Sequence, residues 1–166
     1  MHGETHQRAG LFGGTNKMLT KQDFFSFENK IARPFFDKFY EAKGYGVKRM
    51  TGIKNKDYDC EVKIGDKWYK IEEKYRDREI TDCLIETIQD TETNAPGWLY
   101  YCKADYILYG GGNKIYCIDF NQLKIFLEKH KDKFNTKISK KGWGRTENIV
   151  IDWPTLKVNK IAKQIL

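Results

Sequence analysis

The sequence predicts a mixed α/β domain in which helices flank a central β-sheet. Segments with apolar residues at every third or fourth position, typical of amphipathic helices, are interspersed with shorter segments in which apolar and polar residues alternate, typical of half-buried strands. With 166 residues, 40% of them apolar, the chain can also form one domain with a hydrophobic core. The predicted order of elements is α-β-β-β-α-β-β-α-β-α.

The chain is predicted to begin with a flexible, polar arm over residues 1–18, followed by a single domain over 19–166 with a basic C-terminal extension. The first helix is expected to start after Thr20, whose hydroxyl can cap it, and to end at Gly44. Pro34 lies inside this helix, and it predicts either a kink or two helices in sequence.

A β-hairpin is the clearest prediction for the next part of the chain, after a weak strand over residues 45–52. Residues 58–64 and 67–75 alternate between apolar and polar side chains, and Gly65 and Asp66 between them form a suitable two-residue turn. The remaining elements are predicted, in chain order, as a helix over 79–92, strands over 104–109 and 114–118 around a glycine-rich loop, a helix after Asp119, a strand over 148–153 and a helix starting at Pro154.

Composition excludes several classes of protein. No segment approaches the ~20 consecutive apolar residues of a membrane helix, and the N-terminus lacks the apolar run of a secretory signal, so we expect a cytoplasmic protein without a membrane partner. The four cysteines are scattered and the histidines do not cluster, which disfavours a zinc site. The 30 Lys and Arg residues exceed the 23 Asp and Glu residues, giving a net charge of +7, which favours a polyanionic partner.

The hairpin register brings charged residues together on one face of the sheet. If the two-residue turn is correct, Asp59 lies opposite Glu72 and Asp57 lies opposite Lys74. Opposite side chains are only about 5 Å apart at Cβ, so the two carboxylates repel each other unless a cation lies between them. Mg²⁺ prefers such oxygen ligands, and the Lys74 ammonium could orient a water molecule or stabilise charge on a phosphate. The alternative interpretation is a solvated polar face.

The position of Asp59, thirteen residues before Glu72 in the triplet Glu72-Glu73-Lys74, resembles the active-site motif of the PD-(D/E)XK nuclease superfamily. Tyr58 stands where the proline of the family name would be. This resemblance implies a restriction-endonuclease-like fold with a mixed central sheet flanked by helices.

The predicted order of elements over residues 20–118 also resembles the α-β-β-β-α-β core of this superfamily. Many members carry an acidic residue on the leading helix, and Glu28 is the candidate here, with Glu41 as the alternative. The 31 positions between Glu28 and Asp59 resemble the spacing in archaeal-type Holliday-junction resolvases.

The resemblance implies a Mg²⁺-dependent DNA endonuclease, with Mn²⁺ as a substitute metal and a homodimer as the expected assembly. Branched DNA is one expected substrate, and a small restriction-like or homing endonuclease is the alternative. An RNA endonuclease and a non-catalytic nucleic-acid-binding module remain further alternatives.

The resemblance also implies the site residues. The implied metal ligands are Glu28, Asp59, Glu72 and the main-chain carbonyl of Glu73, and the implied catalytic residues are Glu28, Asp59, Glu72 and Lys74. Asp57 is the alternative to Asp59 as metal ligand, because it shares the same face of the strand. A separate alternative is that Lys74 is only the ion-pair partner of Asp57 and has no catalytic role.

Basic residues are concentrated between positions 124 and 145, and residues 139–145 have the composition of a loop with an aromatic residue between glycines. Such a loop can contact phosphates, and its aromatic residue can stack on a base. A solvated basic linker is the alternative. The candidate DNA-binding residues are Lys140, Lys141, Trp143 and Arg145, together with Lys54 and Lys56, which precede the candidate metal ligand.

Overall fold

The computed structural model describes residues 20–52, 57–141 and 144–166, so the predicted arm over 1–18 lies outside the described residues. Within them, ten strands form a six-stranded sheet with the order β1-β2-β3-β6-β7-β10 and a four-stranded sheet with the order β5-β4-β9-β8. The strands are β1 (Gly46–Arg49), β2 (Cys60–Ile64), β3 (Lys67–Arg76), β4 (Asp82–Asp90), β5 (Ala95–Pro96), β6 (Tyr106–Gly111), β7 (Lys114–Asp119), β8 (Thr136–Lys141), β9 (Gly144–Asp152) and β10 (Ala162–Gln164).

The leading helix is continuous but changes type just before Pro34. Its three parts are α1 (Lys21–Phe27), a π-helical segment (Glu28–Ala32) and α2 (Arg33–Lys43). Proline lacks an N–H group, and its ring clashes with the carbonyl four residues earlier in an α-helix. The wider π turn, in which the Arg33 N–H donates to the Glu28 carbonyl oxygen, relieves this conflict. The predicted irregularity therefore takes the form of a π turn.

Both predicted ends of this helix are confirmed. The Thr20 N–H donates to Asp23 Oδ2 over 2.8 Å, and the Asp23 N–H donates to the Thr20 hydroxyl over 3.2 Å. This reciprocal pair satisfies N–H groups that have no partner inside the helix. At the other end, Gly44 adopts a φ of 68°, a left-handed conformation that glycine tolerates without strain.

The shorter helices are α3 (Trp98–Tyr101), α4 (Phe120–His130) and α5 (Trp153–Val158), with a 3-10 turn at Lys131–Lys133. Asp119 caps α4 as predicted, because its Oδ1 accepts a hydrogen bond from the Gln122 N–H over 3.0 Å. Pro154 lies in the first turn of α5, where proline is favoured. Among the described helices, none is both long and apolar enough to span a membrane.

The β2–β3 hairpin has the predicted register. Cys60 lies opposite Ile71 and Val62 lies opposite Tyr69. The ladder ends at Cys60, so Asp59 lies just before β2, where its N–H still donates to the Ile71 carbonyl oxygen over 2.9 Å. All neighbouring strands of the main sheet are antiparallel except β3 and β6, which run parallel.

The predicted helix over residues 79–92 is wrong. Its central residues form β4, which pairs antiparallel with β9 in the second sheet. Cys83 and Ile85 are fully buried in the core, two positions apart as a strand requires. The segment is rich in β-branched residues, and the pairing with β9, more than fifty residues away, selects the strand.

The predicted loop over residues 139–145 is also wrong, because β8 and β9 form a hairpin in which Lys140 lies opposite Arg145. The short strand β10 has no counterpart in the prediction. The mixed α/β class with helices beside a mixed sheet is nevertheless confirmed.

Two apolar clusters lie on the two faces of the main sheet. On one face, the second sheet and helices α3, α4 and α5 enclose the larger cluster. On the other face, α2 packs Phe36, Phe39 and Tyr40 against β2 and β3. Strand β3, which carries the Glu72-Glu73-Lys74 triplet, is therefore covered on both sides.

Gly110 of β6 lies directly beneath α2. A Cβ atom at this position would lie 2.6 Å from the Phe35 ring and 3.1 Å from the Phe36 ring. Gly110→Ala is therefore expected to destabilise the fold by about 1–3 kcal/mol, as overpacking does, measured as the free energy of unfolding in urea. Gly46→Ala is the matched control, because its added Cβ would approach no atom closer than 3.4 Å. Equal stability of the two variants would contradict this packing.

Candidate active site

Strand β3 presents charged side chains on both faces of the main sheet. Lys74 projects towards α3, with Nζ 5.3 Å from the centroid of the Trp98 ring. Its Nζ donates to Glu72 Oε1 over 2.5 Å. Glu72 is only 8% exposed, and its carboxylate forms an ion pair with this ammonium of its own strand.

Asp59 is held against β3 by the main chain. Its Oδ2 accepts a hydrogen bond from the Glu73 N–H over 2.7 Å. This bond joins the residue just before β2 to the middle of the Glu72-Glu73-Lys74 triplet. The register predicted that Asp59 lies opposite Glu72, but the ladder ends at the pair of Cys60 and Ile71. The structure thus brings together Asp59 and the acid–lysine pair of β3.

Glu28 reaches the same place from the leading helix. It is half-buried in the π-helical segment and lines a pocket of about 190 Å³ together with Asp59 and Lys74. Glu72 does not line this pocket and contacts it through Lys74. Glu41, the alternative to Glu28, is exposed on α2 and does not line the pocket.

The carboxylates of this site repel one another. Burial raises the pKa of Glu72 above its ordinary value, Lys74 opposes this rise and the charge of Asp59 adds to it. Burial also raises the pKa of Glu28, and the charge of Asp59 again adds to the rise. Burial alone would lower the pKa of Lys74, but the charges of Glu72 and Asp59 raise it, which keeps the amine protonated.

The donor set suits a hard divalent cation, because all three side chains offer carboxylate oxygens and a cation would relieve their repulsion. The second oxygens of Asp59 and Glu72 make no hydrogen bond with any described residue. In the part of the chain that the structure describes, no three His, Cys, Asp or Glu side chains are close enough to form a complete metal site. Glu28 and Glu72 would therefore have to move towards Asp59 to share one ion.

Asp57 does not face Lys74, which corrects the register-based prediction for this pair. Its Oδ2 accepts from Lys103 Nζ over 2.9 Å, and its carbonyl oxygen accepts from the Lys103 N–H over 2.8 Å. The strand ladder ends before Asp57, so the chain turns away from β3. Of the two rivals, only Asp59 contacts β3.

The Glu73 side chain lies on the opposite face of the sheet from Lys74, as predicted from the alternation. Tyr40 donates its hydroxyl to Glu73 Oε1 over 2.7 Å, and Arg49 donates to Oε2 over 2.6 Å. Burial raises the pKa of Glu73, while the charge of Arg49 opposes the rise. The side chain of Glu73 therefore anchors β3 to α2 and β1, which leaves only its main chain on the site.

The predicted DNA-binding residues are only partly described. Lys140 and Arg145 are exposed and lie opposite each other on β8 and β9, and Lys141 follows in β8. Further along β9, Asn148 lines the pocket, so the basic hairpin begins at the candidate site. Lys54, Lys56 and Trp143 lie outside the described residues.

The residues that line the pocket but were not predicted from the sequence include Arg33, Arg76, Trp98 and Asn148. Arg76 could have been included, because it continues the alternation of Glu72 and Lys74 along β3. The other three come from the π turn, from α3 and from the second sheet, and no local pattern links them to the motif.

The structure thus defines a mixed α/β protein with a carboxylate–lysine pocket between its leading helix and its two sheets. Comparison of the chain with protein-family models, with curated proteins and with solved structures found no match. The function must therefore be inferred from the pocket and from the surface around it.

Proposed function

We propose that this protein is a Mg²⁺-dependent DNA endonuclease with a restriction-endonuclease-like core. One observation carries the proposal: Glu28, Asp59 and Lys74 line one pocket, and Glu72 is bonded to Lys74 at its edge. These residues come from three separate segments, and repulsive carboxylates are costly to gather unless they serve a ligand.

The topology around the pocket supports the same proposal. A leading helix, the antiparallel strands β1, β2 and β3, and a crossover to the parallel strand β6 follow the α-β-β-β-α-β order of the resemblance. There is one departure from that order. The crossover contains β4, β5 and the four-residue helix α3 where the resemblance implies a longer helix.

In the proposed reaction, Lys74 orients a water molecule for in-line attack on phosphorus. The attack forms one P–O bond and breaks the bond to the leaving oxygen; the water loses a proton to solvent, and the leaving oxygen takes one up. Its ammonium also stabilises the charge that develops on the phosphate. Asp59, Glu72, Glu28 and the carbonyl of Glu73 would hold Mg²⁺ or Mn²⁺. The cation would supply additional charge stabilisation at the scissile phosphate.

DNA is the proposed partner because the net charge is +7 and because the basic β8–β9 hairpin leads away from the pocket. About 14 Å of extended chain separates Asn148 from Gly144, the first residue of β9. This length is enough to follow a nucleic-acid backbone beyond the site. Cutting both strands of a duplex or of a Holliday junction would require two copies of the site, which is the reason for proposing a homodimer.

The test is a cleavage assay on plasmid DNA, linear duplex, a four-way DNA junction and an RNA duplex, each with Mg²⁺, Mn²⁺ or EDTA. We expect DNA cleavage with either metal and none with EDTA. Cleavage of RNA alone would replace DNA by RNA as the substrate. Sedimentation equilibrium of the protein with and without the junction tests the homodimer.

A non-catalytic nucleic-acid-binding module is the second candidate. The observation that favours it is the lack of a complete metal cluster among the described residues. Tight binding of the junction without cleavage in Mg²⁺ or Mn²⁺ would support this candidate and contradict the endonuclease.

The basic hairpin gives a separate prediction. Replacing Lys140 and Arg145 together by glutamine is expected to weaken DNA binding and to reduce the slope of log K against log salt by about 0.9 for each phosphate that the variant no longer neutralises. Fluorescence anisotropy in Ca²⁺ at several salt concentrations measures this slope. The control removes the same charge at Lys38 and Lys129, which are exposed on α2 and α4. Equal slopes for the two double variants would support the solvated-linker interpretation.

A further inference from the structure

Arg33 is a cation of the pocket whose guanidinium has no hydrogen-bond or salt-bridge partner among the described residues. Its half-buried side chain lines the pocket beside Glu28. Among the residues that the structure describes, no side chain or main-chain group forms a hydrogen bond or salt bridge with its guanidinium. The charge of Arg33 lowers the pKa of Glu28 less than burial raises it, and no salt bridge joins the two.

The other two described cations of the pocket are already engaged. Lys74 donates to Glu72, and Arg76 donates to Asp82 Oδ1 over 2.6 Å and to the Asp82 carbonyl oxygen over 3.2 Å. Among these three cations, only Arg33 has all five side-chain N–H donors unbonded to described residues, and so available for a ligand.

The π turn explains why Arg33 reaches this pocket. Residues five positions apart in an α-helix differ in direction by about 140°, so an α-helix would turn Arg33 away from Glu28. The wider π turn, closed by the hydrogen bond from the Arg33 N–H to the Glu28 carbonyl oxygen, makes this difference smaller, and both side chains line the pocket. Single π turns are frequent at functional sites.

We propose that Arg33 forms a phosphate-binding subsite beside the carboxylates and holds a backbone phosphate of the bound nucleic acid. A guanidinium matches the geometry of a phosphate through two parallel N–H···O bonds. The Arg33 guanidinium has no bond to any described residue that it would give up on binding, and a phosphate brings the negative charge that this cation attracts. The identification of the ligand as nucleic acid rests on the proposed function.

The test compares Arg33→Met, Arg33→Lys and the control Arg78→Met in the full chain. Arg78 is exposed, lies outside the pocket and makes no salt bridge with a described residue. The probe is a fluorescein-labelled four-way DNA junction in Ca²⁺, titrated between low and moderate KCl. Thermal unfolding of each variant confirms that it is folded.

Arg33→Met is expected to bind the junction about tenfold more weakly, the usual effect of removing one charge-assisted hydrogen bond. Its salt slope should fall by about 0.9, because the variant neutralises one phosphate fewer. Arg33→Lys should retain the slope but recover only part of the affinity, since an ammonium makes no bidentate bond. Arg78→Met should match the wild type.

An unchanged salt slope in Arg33→Met would overturn the subsite. If Arg33→Met also bound Mn²⁺ more weakly in the absence of DNA, measured by calorimetry, the unchanged slope would show that Arg33 acts through Glu28.

Cleavage of the same junction by the wild type in Mg²⁺ is measured in parallel. A wild type that binds but does not cleave contradicts the endonuclease and leaves the slope of Arg33→Met as the test of the subsite. A wild type that does not bind DNA overturns both.

Discussion

Asp59→Asn is expected to reduce the single-turnover rate of metal-dependent DNA cleavage by about 10²–10³-fold, because losing a charged metal ligand removes several kcal/mol of transition-state stabilisation. The fold should be retained. Asparagine keeps an oxygen that can accept the hydrogen bond from the Glu73 N–H. It also removes a negative charge that raises the pKa values of Glu72 and Glu28.

Thermal unfolding with and without Mg²⁺ separates this effect from a loss of structure. Without metal, Asp59→Asn should be at least as stable as the wild type, because one repulsive charge is gone. With Mg²⁺, only the wild type should gain stability, since a ligand that binds the native state raises the midpoint temperature of unfolding. Asp57→Asn is the matched control, because Asp57 pairs with Lys103 and does not contact β3. Cleavage by Asp59→Asn above about a tenth of the wild-type rate, less than a 1.4 kcal/mol effect, would exclude Asp59 as a metal ligand.

Lys74→Ala is expected to lower the single-turnover rate by about 10²-fold or more, the usual cost of losing one preorganised electrostatic stabiliser. The affinity for DNA in Ca²⁺ should change little, because the ammonium acts mainly on charge that develops in the transition state. Rates are compared per folded molecule, since removing Lys74 also leaves the buried Glu72 carboxylate without its partner.

Lys74→Arg keeps a positive charge beside Glu72 and so preserves the ion pair. It should nevertheless recover little activity, because a planar guanidinium does not replace a compact ammonium in a small pocket. Lys70→Met is the control, because Lys70 lies on the same strand, is exposed and does not line the pocket. Loss of stability with an unchanged cleavage rate per folded molecule would show that Lys74 is only an ion-pair partner.

The register of the β2–β3 hairpin could be predicted because it depends on local features. A two-residue turn sets which residues lie opposite each other, and the alternation of apolar side chains sets which face they occupy. These two features alone predict that Asp59 lies beside the Glu72-Glu73-Lys74 triplet. The ladder itself ends at Cys60. Asp59 stays beside β3 through its hydrogen bonds to Ile71 and Glu73, whereas the reasoning failed for Asp57, which bonds to Lys103 instead.

Residues 79–92 illustrate the limit of local patterns. Ile80, Leu84, Ile85 and Ile88 fit both a helical stripe and a strand, because short apolar segments rich in β-branched residues are compatible with either. The pairing of β4 with β9 resolves this ambiguity, and it joins parts of the chain that are distant in sequence.

By itself, the sequence determined the capped leading helix, the hairpin register and the acid–acid–lysine arrangement, since each depends on residues within one or two neighbouring segments. Only the tertiary structure decided which other residues share the pocket. Arg33 reaches it through a π turn, and Asn148 reaches it from a second sheet whose strands pair over long distances. The physical reason is that hydrogen-bonding periodicity is encoded locally, whereas the approach of separate segments depends on the packing of the whole chain.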